Sequence, residues 1–262
     1  MPCFDQPDLK ATWAVALEVP RGWVALANGR PAARSELPGC ERDIVQFDVS
    51  PLLSSYIFAV VAGPYDCVTD VWRGTTLGVY CRRRLSAHLD AGALFRLTKA
   101  GLDWYGEYFG MPYPYPKYDQ VFAPEFNIGA MENVGTVTFT ERYVFREPPT
   151  ESQLGGRADT LLHEMAHMWF GDLVTVRGAR GAGRVALGAP GLRPPAPLRQ
   201  PAWWDGLWLK ESFATYMAAL CVSEATECAP RRRRRRRVCP APQPCGGGAG
   251  SGRRPGCCSP TA

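Results

Sequence analysis

The 262-residue sequence holds no uninterrupted apolar run approaching the roughly 18 residues that a membrane-spanning helix needs. Its first residues, with Pro2, Asp5 and Asp8, do not form a basic-then-apolar leader. Neither a membrane span nor a secretory signal is expected, and a cytoplasmic location is the default. Histidine is scarce, with three in all. Cysteine is not, with ten, but the five in residues 228–262 (Cys228, Cys239, Cys245, Cys257, Cys258) repeat no zinc-knuckle or disulfide spacing. The others, Cys3, Cys40, Cys67, Cys81 and Cys221, are scattered and odd in number, so buried free thiols are the expectation for them.

Asp, Glu and Lys are absent from two stretches, Gly178–Ala202 and Cys228–Ala262, which together hold thirteen arginines, seven of them consecutive from Arg231 to Arg237. Gly, Ala, Pro and Arg make up 20 of 25 residues in the first stretch and 25 of 35 in the second. Such a mixture lacks the aromatic and branched side chains that offset ordering entropy, so both stretches are expected to be unstructured. The same four residue types are encoded by GC-rich codons, which suggests retained intron sequence. Without these stretches the other 202 residues carry 17 basic against 25 acidic side chains, so the net charge of +5 hides an acidic body.

Residues up to about 63 read as β-structure. Ala11–Val19 is rich in strand formers, Val45, Phe47 and Val49 alternate with polar neighbours, and Tyr56–Ala62 is an apolar run suited to a buried strand. Asn28-Gly29 and Pro38-Gly39 mark turns. After Gly63-Pro64 come a strand at Thr75–Cys81 and a helix at Leu89–Phe109, with Leu94, Leu102, Tyr105 and Phe109 on one face. A Pro/Tyr-rich turn at Met111–Lys117, a strand at Val134–Phe139 and helices at Asp159–Phe170 and Leu207–Val222 complete the pattern.

Two of the three histidines stand as His163-Glu164-Met165-Ala166-His167. On a helix, the i, i+4 spacing puts both imidazoles on one face one turn apart, as one zinc ion requires, with Glu164 beside the remaining open position. Leu161, Leu162, Ala166 and Trp169 can pack that helix, and Gly171 offers a stop. Glu211 is a candidate third ligand on a second apolar helix (Leu207, Phe213, Tyr216, Leu220). From spacing alone it could equally be a solvated carboxylate beside Lys210.

His163–Asp172 (HEMAHMWFGD), Trp203-Trp204-Asp205 and Leu207–Ala214 (LWLKESFA) resemble the zinc signature of aminopeptidase N type metallopeptidases, a gluzincin family. Gly129-Ala130-Met131-Glu132-Asn133 matches its GAMEN exopeptidase motif, and Pro2–Asp8 (PCFDQPD) a third motif. The similarity runs through residues 2–177 and 203–227, about three quarters of the chain. It implies an α+β fold, the end of an N-terminal β-rich domain (1–66) followed by part of a thermolysin-like zinc peptidase domain (67–227). Residues 178–202 would be a disordered insertion and 228–262 a disordered tail. It further implies one Zn2+ per chain on His163, His167 and Glu211, with Glu164 as general base. Glu132 would bind the free α-amine of a peptide substrate, with Gly129, Ala130, Met131 and Asn133 around it. Ile128 is a candidate lining of the first side-chain pocket. Trp203, Trp204, Trp208 and Tyr216 are expected in the core.

The sequence departs from the family in three ways. His167 and Glu211 are separated by 43 residues where the family has eighteen, an excess equal to the length of Gly178–Ala202. Ideal loop closure over the longer span costs about 0.8 kcal/mol more, small against the roughly 10 kcal/mol of a structural zinc site. The third motif stands at the very start, so one wall of the amine pocket is expected to be missing. The family's transition-state tyrosine is expected beyond the matching region. A catalytically inactive zinc-binding fragment is therefore the alternative to a working aminopeptidase. Binding of nucleic acid or an anionic surface through Arg231–Arg237 is a further alternative, but no nucleic-acid partner is expected because no aromatic residues are interleaved for base stacking.

Overall fold

The computed structural model describes residues 3–174 and 208–226. The compositionally distinct stretches 178–202 and 228–262, together with Trp203, Trp204, Asp205 and Leu207, lie outside the described residues. Among the described residues, no helix is long and apolar enough to cross a membrane.

The N-terminal part is built from β1 (Lys10–Ala11), β2 (Ala16–Pro20), β3 (Val24–Ala27), β4 (Pro31–Glu36), β5 (Arg42–Phe47), β6 (Leu53–Ser54) and β7 (Val60–Gly63). β2, β5 and β4 form an antiparallel three-stranded sheet, whereas β1 pairs with β6 and β3 with β7. The β4–β5 hairpin turns at Pro38-Gly39, where Gly39 has φ +78°, a left-handed conformation that favours glycine. Alternation puts Val19, Val45 and Phe47 on one buried face with Ala25 and Ala27, a small core of its own. The run 56–62 is not one buried strand. A turn of 3-10 helix takes Ser55–Ile57, and in β7 Val60 points to solvent while Gly63 is covered, because the strand pairs only with β3.

The second part is a mixed five-stranded sheet of β8 (Tyr65–Trp72), β9 (Thr75–Arg82), β10 (Lys117–Ala123), β11 (Ala130–Met131) and β12 (Thr136–Thr140), with α1 (Ala91–Tyr108), α2 (Glu151–His167) and α3 (Trp208–Ala225). The strand order is β11-β12-β10-β9-β8. β9, β10 and β12 are parallel, and β8 and β11 run antiparallel at the two edges. Strand β10 carries no clean alternation, because nearly every residue in it is buried, as is normal for a central parallel strand. The main core lies between this sheet and the helices, with Leu77, Val79, Phe122, Val137, Phe139, Leu102, Tyr105, Leu161, Leu162 and Met165 at or near full burial. The described architecture is α+β.

Two sequence expectations about the core are corrected. Trp208 and Tyr216 are 66% and 60% exposed. α3 turns a different stripe inward, Ala214, Met217, Ala218 and Cys221, small or pliant side chains that let it lie close to α2. Of these five cysteines, Cys81 and Cys221 are buried; Cys3 near the start, Cys40 in the β4–β5 turn and Cys67 on the edge strand β8 are exposed.

Helix α2 begins eight residues before its expected start because Thr150 and Gln153 form a capping box: the Thr150 amide donates to Gln153 Oε1 and the Gln153 amide to Thr150 Oγ1. It is held at the other end by the Tyr105 hydroxyl, which donates to the Leu162 carbonyl at 2.9 Å, and by the Trp169 indole, which donates to Met111 O at 2.9 Å. α1 meets α2 at Gly101, where a Cβ would stand 2.5 Å from Leu162 and 2.7 Å from the Met165 sulfur. Gly101→Val should therefore force the helices apart and lower stability by about 1–3 kcal/mol. A denaturant midpoint equal to wild type would show that this crossing is not tightly packed.

Candidate metal centre

His163 and His167 lie one turn apart on α2, and Glu211 reaches them from the first turn of α3. His167 Nε2 is 3.1 Å from His163 Nε2, and Glu211 Oε2 is 3.3 Å and 3.4 Å from the two nitrogens. The outer ring nitrogens are engaged. His167 Nδ1 faces the Phe170 carbonyl oxygen at 3.2 Å, an acceptor only, so Nδ1 carries the proton and donates. Thr215 Oγ1 donates to the Glu211 carbonyl and so accepts from His163 Nδ1 at 3.3 Å. In neutral rings this leaves two bare Nε2 lone pairs and a carboxylate oxygen converging on one point.

Such a set repels itself unless a metal ion or an added proton sits among its members. Tetrahedral arms of 2.0–2.1 Å, the usual zinc–nitrogen distance, place neighbouring donors about 3.3 Å apart, close to the three separations here. The donor set of two imidazoles and one carboxylate also suits zinc. The residues present fit the metal that the sequence suggested.

Gly171 secures the loop behind this pair rather than ending the helix, which stops at His167. Its φ is +139°, and a Cβ there would approach His167 Nδ1 to 3.0 Å.

A second group shares His167: Glu132, Glu164 and His167 are all buried, and one ligand atom from each lies within 4.8 Å of the others. Glu164 is pushed up to about 9 by burial first, then by the Glu132 and Glu211 carboxylates, with Lys210 opposing. Glu211 is held well below the usual carboxylate range where His163 and His167 donate to it, against burial and with help from Lys210; with both Nε2 atoms bare, Lys210 is the partner that still favours its charged form. Lys210 Nζ contacts Glu132 Oε1 and lies 2.9 Å from Glu211 Oε1. Burial pulls Lys210 down, but the two carboxylates outweigh it and its net shift is upward.

Glu132 follows β11, the edge strand made by Ala130 and Met131, which pairs with Phe139 and Thr138 of β12. Gly129 O accepts from the Thr140 amide at 3.0 Å. Asn133 Oδ1 accepts from Thr138 Oγ1 at 2.9 Å, pinning the turn that follows Glu132. Ile128 is half exposed in the loop before β11.

Two family models match the chain, the Peptidase M1 N-terminal domain at residues 1–57 and the Peptidase family M1 domain at residues 94–178, together more than half of it. The chain belongs to peptidase family M1. It is 43% identical over 226 residues to "Aminopeptidase N" of Streptomyces lividans, covering 85% of this chain and 23% of that protein. It is 36% identical to "Aminopeptidase M1" of Arabidopsis thaliana (84% and 22%) and 34% identical to "Puromycin-sensitive aminopeptidase" of Caenorhabditis elegans (84% and 21%). The chain thus spans about a fifth to a quarter of the length of these M1 relatives.

Several residues around this cluster are assigned no role by the sequence. Tyr56, in the 3-10 turn, presents its ring face to Lys210, 4.7 Å from Nζ to the centroid, and its hydroxyl donates to Gly171 O at 3.4 Å. Asp172 is buried with both carboxylate oxygens unpartnered, and burial followed by Glu132 raises its pKa well above normal. Asn28 reads in the sequence as a turn residue only. In the structure its side-chain amide donates to Val134 O at 2.8 Å and Ile57 O at 3.0 Å, and its Oδ1 accepts from the Ala59 amide at 3.0 Å. That clamp ties the N-terminal part to the turn just after Glu132. Asn28→Ala would leave a buried amide and two carbonyls unsatisfied and should cost about 1–3 kcal/mol. Asn28→Asp should not restore it, since Asp lacks the donor that both carbonyls need. Equal urea midpoints for wild type and both variants would contradict the clamp.

Proposed function

We propose that this chain carries the zinc-binding and amine-binding residues of an M1 aminopeptidase, in which His163, His167 and Glu211 hold one zinc ion and a peptide's free N-terminus pairs with Glu132. The observation that carries the reading is the convergence of two bare Nε2 atoms and the Glu211 carboxylate, with both Nδ1 protons already committed.

Zinc held there supplies Lewis acidity that activates water and polarises a peptide carbonyl. Glu164, one residue from His163 and next to His167 in space, is the group that takes the proton from the attacking water and passes it to the leaving amine. Its raised pKa reflects burial among carboxylates, and a divalent cation at the three donors would draw it back down.

Glu132 reads the α-ammonium group by charge and hydrogen bonding, which limits cleavage to the first peptide bond because an internal bond offers no such charge. The outer edge of β11, with Gly129 and Ala130, lies beside Glu132 and has no further strand paired to it among the described residues. Its free backbone groups suit an extended peptide laid alongside. The proposed substrates are peptides with a free amino terminus. The proposed domain division is residues 1–66 for the N-terminal β part and 67–227 for the peptidase part.

The test is turnover of an alanyl or leucyl fluorogenic amide by the full chain and by a variant lacking residues 178–202. Glu164→Gln should retain zinc and lose at least about 10²-fold in kcat, as expected for a lost general base. Glu132→Gln should abolish the preference for a free over an acetylated amino terminus. Stoichiometric zinc with no turnover in either the full chain or the deletion variant would leave the inactive zinc-binding fragment as the correct reading.

A further inference from the structure

The carboxylate proposed to receive a substrate's ammonium group already holds one. Lys210 sets Nζ against Glu132 Oε1, keeps Glu211 Oε1 at 2.9 Å, and lies over the Tyr56 ring at 4.7 Å, with its side chain only 11% exposed. Two carboxylates and an aromatic face around a primary ammonium form a well-matched cradle. Within its own fold, the chain shows that Glu132 binds R–NH3+.

A peptide N-terminus brings the same functional group to the same oxygen. Two ammonium ions cannot both sit on Glu132 Oε1 without strong like-charge repulsion in a buried pocket. Lys210 can yield at low cost, because it sits at the end of a flexible four-carbon stem and keeps Glu211 as partner when it leaves Glu132. No buried charge is stranded by the exchange.

We propose that Lys210 is a specificity-determining residue, a built-in occupant of the amine subsite that free-amine ligands must displace from Glu132. The proposal rests on the reading of Glu132 given above. Its consequence is selectivity by competition: apparent affinity for an amine falls by the fraction of molecules in which Glu132 is free. Simple amines then fail to displace Lys210, while ligands that add backbone contacts along β11 succeed.

The experiment compares L-leucinamide with N-acetyl-L-leucinamide by calorimetry, using the full chain with one equivalent of zinc. Lys210→Met, which keeps the length of the stem and removes the charge, should tighten leucinamide binding about tenfold and leave the acetylated ligand unchanged. The wild-type chain supplies a second readout that needs no variant to fold. It has four lysines, Lys10, Lys99, Lys117 and Lys210, so a 15N-lysine spectrum is simple. Saturating leucinamide should shift the Lys210 ammonium resonance, and the acetylated ligand should not.

Leucinamide binding no tighter in Lys210→Met than in wild type, with the melting midpoint retained, overturns the proposal. An unmoved Lys210 resonance at saturating leucinamide does the same. If Glu132→Gln leaves the preference for the free amine intact, the assignment of Glu132 itself has failed, and the competition proposal falls with it for that separate reason.

Discussion

Three hydrogen-bond acceptors pointing at one another repel unless positive charge, a metal ion or an added proton, sits among them. His163 Nε2, His167 Nε2 and Glu211 Oε2 meet within 3.4 Å, and much of the surrounding structure serves to hold them there. Helix α2 supplies the i, i+4 pair and is fixed by a capping box at one end and by Tyr105 and Trp169 near the other. Helix α3 can approach it because Ala214 and Ala218 are small. The glycine at 171 lets the following loop lie against His167 where a side chain would collide. The hydrogen bonds that the two Nδ1–H groups donate to Phe170 O and Thr215 Oγ1 set the ring orientation, as such contacts do for histidines that hold a metal.

The same pocket concentrates negative charge. Glu132, Glu164 and Asp172 are all buried near Lys210, and Glu211 is close by. Glu164 and Asp172 are both raised, chiefly by burial. Burying several carboxylates is costly unless cations accompany them. Such a pocket is built to take up positive charge, and the proposed metal and ammonium ligands both supply it. Among the described residues, Lys210 is the cation that the chain itself sets against these carboxylates.

How far the sequence showed this differs from residue to residue. The His163-Glu164-His167 spacing carried its own geometry, since an i, i+4 pair on a helix has little freedom. The Glu211 assignment needed the resemblance, because spacing alone did not separate a ligand from a solvated carboxylate. Strand β10 was missed because a central parallel strand buries both faces and shows no alternation. The inward stripe of α3 was misread through Tyr216 and Trp208, whose size suggested core, whereas close helix packing selected Ala214 and Ala218 instead. Asn28 and Tyr56 left no trace because their partners, Val134 and Lys210, are more than a hundred residues away.

The central claim is that one zinc ion sits on His163, His167 and Glu211, and X-ray absorption at the zinc edge of the chain loaded with one equivalent tests it most directly. The account predicts a four-coordinate shell with two imidazole nitrogens and oxygen donors at about 2.0–2.1 Å, one tightly held zinc per chain, and loss of that shell in His167→Ala. A six-coordinate shell of oxygens, or an unchanged spectrum in His167→Ala, would contradict it.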